Sequence, residues 1–130
     1  MVRPGIQGHK EETVTAGNTA SAWGSGGLDV YATPAMVALM EGACVAAADQ
    51  MLPAGYSTVG TELRVKHLAA TPLGMTVRAA GELLEVDGRR LVFRVEAHDE
   101  AGKIGEGTHE RFIIEDEKFI KKTNEKKAGG

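Results

Sequence analysis

From Val59 to His67 the chain alternates. Val59, Thr61, Leu63, Val65 and His67 fall on one side and Gly60, Glu62, Arg64 and Lys66 on the other, a period of two that predicts a strand with one buried face. Residues 34–52, Pro-Ala-Met-Val-Ala-Leu-Met-Glu-Gly-Ala-Cys-Val-Ala-Ala-Ala-Asp-Gln-Met-Leu, break that rhythm and predict the one long helix. Thr33 is the expected N-cap, Pro34 suits the first helical position because its missing amide hydrogen would be unpaired there, and Pro53 with Gly55 end the helix. A first strand is expected from Thr13 through Ala20, followed by the Gly24-Ser25-Gly26-Gly27 connection. Further strands are expected over 75–86, across the Asp87-Gly88 turn through Leu91, Phe93, Val95 and Ala97, and, after a second hairpin at 100–103, from Ile104 to Glu115. Gly105 and Gly107 in that last strand predict a bulge or a close backbone approach. Antiparallel strands joined by hairpins, with one apolar helix, predict an α+β domain whose curved sheet wraps that helix.

Composition narrows the class. With 130 residues, 42% of them hydrophobic and 25% charged, the chain is expected to form one domain over 1–117 with a polar, basic tail over 118–130. The single Cys44 allows no internal disulfide and suits a reducing compartment, and no signal-peptide or membrane-span pattern is visible, so a cytoplasmic location is expected. The net charge of −3 argues against nucleic acid as a partner. Lys118, Lys121, Lys122, Lys126 and Lys127 gather at the end, where a solvated tail is a simpler reading than a phosphate contact.

One charge is out of place. Between Pro34 and Ala48 the helix is apolar or small on every side, so it should be buried, and Glu41 is its only charged group. A buried carboxylate needs a partner, a proton or a function, unless it reaches the helix edge or caps a backbone amide. His67 lies on the apolar face of its strand, where a histidine is more often a satisfied core residue. Its interest rises because that face should pack on the helix carrying Glu41, giving an acid–base pair of the kind hydrolysis needs. His9, His98 and His109 lack metal-ligand spacing, so no metal is expected. Cys44 has no nearby cation in sequence and is expected to be a small core residue. Met36 and Met40 recur at helical spacing, as core residues that can also line an acyl pocket. Gly60 is either a simple strand glycine or a point where an acyl group comes close.

Several stretches together resemble the hot-dog-fold thioesterases, most closely the fluoroacetyl-CoA thioesterase branch. They are Ala32-Thr33-Pro34 leading to Leu39-Met40-Glu41 and Ala43-Cys44, then Val59-Gly60-Thr61, then His67 with Ala69-Ala70-Thr71-Pro72 and Gly74. Val86 through Leu91, Ala97-His98-Asp99, Ile104-Gly105 and Gly107-Thr108-His109-Glu110-Arg111 continue the set, whose order and spacing cover most of the chain. The resemblance implies a Thr33, Glu41 and His67 catalytic constellation, with Gly60 beside the acyl site. It also implies a homodimer, with a tetramer as the larger alternative, acyl-CoA bound between protomers, and no cofactor, since coenzyme A enters with the substrate. One departure is local: the fluoroacetyl enzyme has an aromatic lid residue shortly before the helix, where this chain has Ser25-Gly26-Gly27, so the resemblance does not extend to fluoroacetate selectivity.

The expected activity is hydrolysis of a small or short-chain acyl-CoA, with Glu41 as nucleophile or as base for water, His67 managing a proton and Thr33 binding an oxygen. Arg111, Arg64 and Lys66 are candidates for the CoA phosphates, against an ordinary role as exposed strand charges. Eight residues of continuous helix separate two side chains by about 12 Å and turn them roughly 80° apart, so Thr33 and Glu41 of one helix cannot share a carbonyl. Either Thr33 lies in a loop that folds back, which the family's grouping of the three favours, or one site takes Thr33 and Glu41 from different protomers. An enoyl-CoA hydratase would need an Asp–His pair at the helix, which is not evident. A non-catalytic acyl-CoA binder would keep Glu41 and His67 as a satisfied buried pair.

Overall fold

Asp87-Gly88 makes the expected turn, with Gly88 at φ 62°, the left-handed conformation that favours glycine. It joins β3 (Thr76–Asp87) to β4 (Arg90–Asp99), and the second hairpin joins β4 to β5 (Gly102–Glu115). With β1 (Gln7–Thr13) and β2 (Tyr56–His67) these form one antiparallel sheet in the order β1-β3-β4-β5-β2. The computed structural model describes residues 3–129. Three helices complete it: the short α1 (Ala20–Trp23), the long α2 (Thr33–Asp49) and the closing α3 (Asp116–Gly129).

Helix α2 lies on the inner face of the sheet, mainly against β1 and β3. Its Ala35, Met36, Leu39, Met40, Ala43, Cys44, Ala47 and Ala48 meet Leu83, Leu91, Phe93 and Val95 in the core. Glycines set the depth of that contact. A Cβ on Gly81 would stand 2.8 Å from Cys44 Sγ and 3.1 Å from Cys44 N, and one on Gly8 would overlap the α2 backbone at Ala43 and Ala47. Gly81→Ala is therefore expected to destabilise the fold by about 1–3 kcal/mol through overpacking, measured as a lower denaturant midpoint at unchanged slope. Gly105 similarly admits Met36 and Met40: its Cβ would lie 2.5 Å from Met36 Sδ and 3.1 Å from Met40 Cε.

Four sequence expectations change. The first strand is β1, not Thr13–Ala20. Its inward contact is made by Gly8 rather than by an apolar side chain, so hydropathy does not mark it. Residues 14–19 turn instead, held by Asn18, whose Oδ1 accepts from Thr15 N and whose Nδ2 donates to the Thr13 carbonyl. The long helix ends at Asp49 and starts one residue early: Ala32 is the N-cap, fixed by its amide bonding to the Asn18 carbonyl, and Thr33 is already helical. Residues 118–129, expected as a polar basic tail, are part of α3, whose first turn carries Asp116 and Glu117 and whose last carries Lys126 and Lys127, the order the helix dipole favours. Finally, α2 is not buried all round. In one chain Pro34 and Ala38 are exposed and Val37, Glu41 and Val45 half-buried, a single stripe along its outer side.

Candidate active site

The two ends of α2 hold different chemistry. At its N-terminus the Thr33 hydroxyl lies 2.7 Å from His67 Nδ1, across to the last residue of β2. Because Ala32 rather than Thr33 caps the helix, and makes no side-chain cap bond, the threonine hydroxyl is available to the histidine. His67 Nε2 is buried with no hydrogen-bond partner among the described residues. Burial lowers the pKa of His67 from its ordinary value, and a bond to the backbone of Ala69 opposes this only in part. The pair lines a cleft of about 310 Å³ whose other walls include Ser25, Val30, Tyr31 and Leu68. Tyr31 donates to Glu12 and is fully buried, so it anchors the segment that leads into α2. Ser25 occupies the rim, while Trp23 turns away to donate from Nε1 to the Gly17 carbonyl.

A pH consequence follows from the histidine. Its folded pKa lies below the unfolded value near 6.5, so the folded state keeps it neutral where the unfolded state would protonate it. The stability this provides is complete above about pH 6.5 and is lost as pH falls through the folded value. Denaturant midpoints measured down an acid series should fall in that window, and the fall should be smaller in His67→Asn.

Two helical turns further on, Glu41 meets a different set of groups. Its Oε2 lies 3.8 Å from Arg111 Nη1 and 3.9 Å from His109 Nε2, and its side chain is 42% exposed. A Cβ on Gly60 would stand 3.1 Å from this carboxylate oxygen, so the glycine leaves open the space beside it. Arg111 donates from Nε to Thr58 Oγ1 at 2.7 Å and from Nη2 to the Thr58 carbonyl at 2.9 Å. Burial lowers its pKa, and Glu41 heads the charges that oppose this.

The structure thus regroups the residues expected from sequence. Thr33 and His67 meet, but the histidine beside Glu41 is His109, not His67. The reason is direction: α2 and β2 run antiparallel, so Thr33 faces the end of β2 at His67, and Glu41 faces Gly60 near its start. Thr33 does not fold back in a loop, so the separation of about 12 Å along one continuous helix applies. Gly60 is beside the Glu41 carboxylate. Met36 and Met40 have no exposed surface in one chain and pack on Gly105 as core residues. Arg111 is not an exposed strand charge: its guanidinium is buried and donates to Thr58. Arg64 and Lys66 are exposed.

His109 and Thr58 are the residues sequence reading passes over. The available signal was parity, since His109, Arg111 and Ile113 share one side of β5. The missing information was the pairing of Gly60 with Arg111, set by a register shift between Gly60 and Glu62. Cys44 is fully buried, and burial pushes its thiol up to about 12, consistent with a packing role. Among the described residues no group of three His, Cys, Asp or Glu could hold a metal ion, and no helix is long and apolar enough to cross a membrane.

Comparison with known proteins identifies the family. Residues 14–117 match the family described as FlK, fluoroacetyl-CoA-specific thioesterase. The fluoroacetyl-CoA thioesterase of Streptantibioticus cattleyicolor is 50% identical over 102 residues, 78% of this chain and 73% of that protein. The crystal structure of a single-site variant of the fluoroacetyl-CoA-specific thioesterase FlK superposes with a TM-score of 0.89 at 41% identity, covering 97% of this chain and 98% of that one. A thioesterase superfamily member from Thermus thermophilus gives a TM-score of 0.88 at 30% identity over 100% of this chain and 98% of that one. The sheet that wraps α2 is the hot-dog fold, and the chain belongs to the fluoroacetyl-CoA-specific thioesterase family and is a thioester hydrolase.

Proposed function

We propose that the protein hydrolyses the thioester of a small or short-chain acyl-CoA at a site composed from two copies of the chain. Thr33 and His67 come from one protomer and Glu41 from the other. The observation that carries this reading is the separation of the two groups. Thr33 and His67 share a hydrogen bond at one end of α2, while Glu41 lies two turns away with its carboxylate over Gly60. A single chain cannot bring both to one carbonyl, and a dimer can.

Two further features favour a homodimer. The α2 stripe of Pro34, Val37, Ala38 and Val45 around Glu41 is apolar yet uncovered in one chain, and a second copy would cover it. Strand β2 is at the sheet edge and presents half-buried Val59, Leu63 and Val65, an edge that pairing with a second copy would close. Small acyl groups are favoured by the relatives, which are named for fluoroacetyl-CoA. The Ser25-Gly26-Gly27 segment places no bulky side chain over the cleft, so we do not extend fluoroacetate selectivity to this chain.

In the reaction, Glu41 either attacks the carbonyl carbon or takes a proton from an attacking water. In the first route the C–S bond breaks, CoA leaves as thiolate and an acyl–glutamyl anhydride forms, which water opens to the free acid and the regenerated carboxylate, the released proton passing to the CoA thiolate. Thr33 donates to the oxygen that gains charge, and neutral His67 holds the threonine hydroxyl in place and exchanges its proton. No metal or redox group is called on, and coenzyme A enters only as part of the substrate. We infer a cytoplasmic location, which a CoA ester as substrate and a single cysteine support.

The test is thiol release from a panel of acyl-CoAs of increasing chain length, with hydroxylamine present in parallel to trap any anhydride as a hydroxamate. Release from short esters is expected. Tight binding of the esters with no release would overturn the proposal in favour of a binding protein.

A further inference from the structure

Three donors of Arg111 are committed. Nε and Nη2 go to Thr58, and Nη1 lies 3.1 Å from His109 Nε2. A guanidinium only donates, so His109 Nε2 must be a bare acceptor. The other ring nitrogen, Nδ1, lies 2.7 Å from the Glu62 carbonyl, which only accepts, so the proton sits on Nδ1. Two neighbours of fixed polarity therefore select one neutral tautomer. His109 is 2% exposed. The groups facing it are Glu41 from α2, Arg111 from its own strand and the Glu62 carbonyl from β2, while its register partner on β4, Phe93, adds no charge. Burial lowers its pKa, with the Glu62 carbonyl opposing and the Arg111 cation adding to the shift.

We propose that His109 is a positioning residue for Glu41: by accepting from Arg111 Nη1 it holds the guanidinium 3.8 Å from the carboxylate, as a counter-charge that does not clamp it. The inference rests on Glu41 being the reacting carboxylate. An Arg donor left free beside a carboxylate closes to a charge-assisted hydrogen bond at about 2.7–2.9 Å, which ties up oxygen lone pairs an attack requires. If the imidazole acceptor is removed, Arg111 Nη1 becomes an unpaired buried donor, with Glu41 Oε2 standing 3.8 Å away. The guanidinium then closes on Glu41 and draws its carboxylate from the space over Gly60.

The experiment compares His109→Leu with His109→Gln in the full-length protein, using acetyl-CoA as the probe. Leu removes the acceptor, and kcat should fall on the order of 10²-fold, the size of effect a misplaced reacting group produces, with KM little changed. Gln cannot carry a proton, but its Oε1 can accept from Arg111, and it should recover most of the loss. Equal losses in both folded variants would make His109 a proton carrier and overturn the proposal, as would full activity in His109→Leu. The ring nitrogens of the wild-type protein, read by ¹⁵N NMR near neutral pH, test the same point without turnover. Protonated Nδ1 with bare Nε2 is expected, and an Nε2–H tautomer or an imidazolium would overturn it. Retained activity in Glu41→Gln would instead overturn the reading of Glu41 and leave the NMR result standing.

Discussion

Glu41→Gln is expected to lower kcat by about 10²- to 10⁴-fold, the range that a positioned acid–base group contributes, and by more if Glu41 is the nucleophile. The substitution keeps the length and shape of the side chain beside Gly60, where the carboxylate oxygen has only 3.1 Å to a notional Cβ, so packing is disturbed little. It removes the carboxylate that faces Arg111 and His109 at 3.8 and 3.9 Å. Folding should survive, because the side chain is 42% exposed in one chain and the core residues of α2 lie on its other side. A normal denaturant midpoint together with lost thiol release locates the defect in the chemistry. Unchanged release would remove Glu41 from the reaction.

The second large effect is a gain rather than a loss. Glu41→Gln and His67→Ala should each be inactive as homodimers, and activity should return when the two are mixed and allowed to exchange subunits. If each site takes Thr33 and His67 from one protomer and Glu41 from its partner, a mixed dimer contains one wholly intact site and one doubly damaged site. At equal mixing half the dimers are mixed, so about a quarter of the wild-type sites are restored. If all three groups came from one chain, each mixed dimer would contain two damaged sites and mixing would restore nothing. Measured thiol release after subunit exchange, against the unmixed variants, separates these outcomes. The distance of about 12 Å between Thr33 and Glu41 along one helix is the physical ground for expecting recovery.

Both expectations depend on features with unequal visibility in the sequence. The charged position in an apolar helix was plain because a single Glu among Ala, Met, Leu and Val residues conflicts with a buried helix whatever it packs on. Strands β2 to β5 were plain as well, since alternation and the Asp87-Gly88 turn are local signals. Strand β1 was hidden because its contact with α2 is made by Gly8, and the absence of a side chain leaves no hydrophobic mark. Helix α3 was hidden for the opposite reason. It buries little apolar surface, so its lysine-rich sequence reads as a tail.

What the sequence determined by itself is the inventory and the local order: one helix bearing Glu41, a histidine on the inner face of a strand, and turns that impose an antiparallel sheet. These depend on period, capping and turn chemistry, which act over a few residues. Only the tertiary structure decided the pairing. Antiparallel packing of α2 on β2 sends His67 to Thr33 and Gly60 to Glu41, and the register of β2 on β5 brings His109 and Arg111 to the carboxylate. These partners lie between 19 and 70 residues apart in sequence. Which of them meet is fixed by strand direction and register summed over the whole sheet, a property that no local stretch of the chain contains.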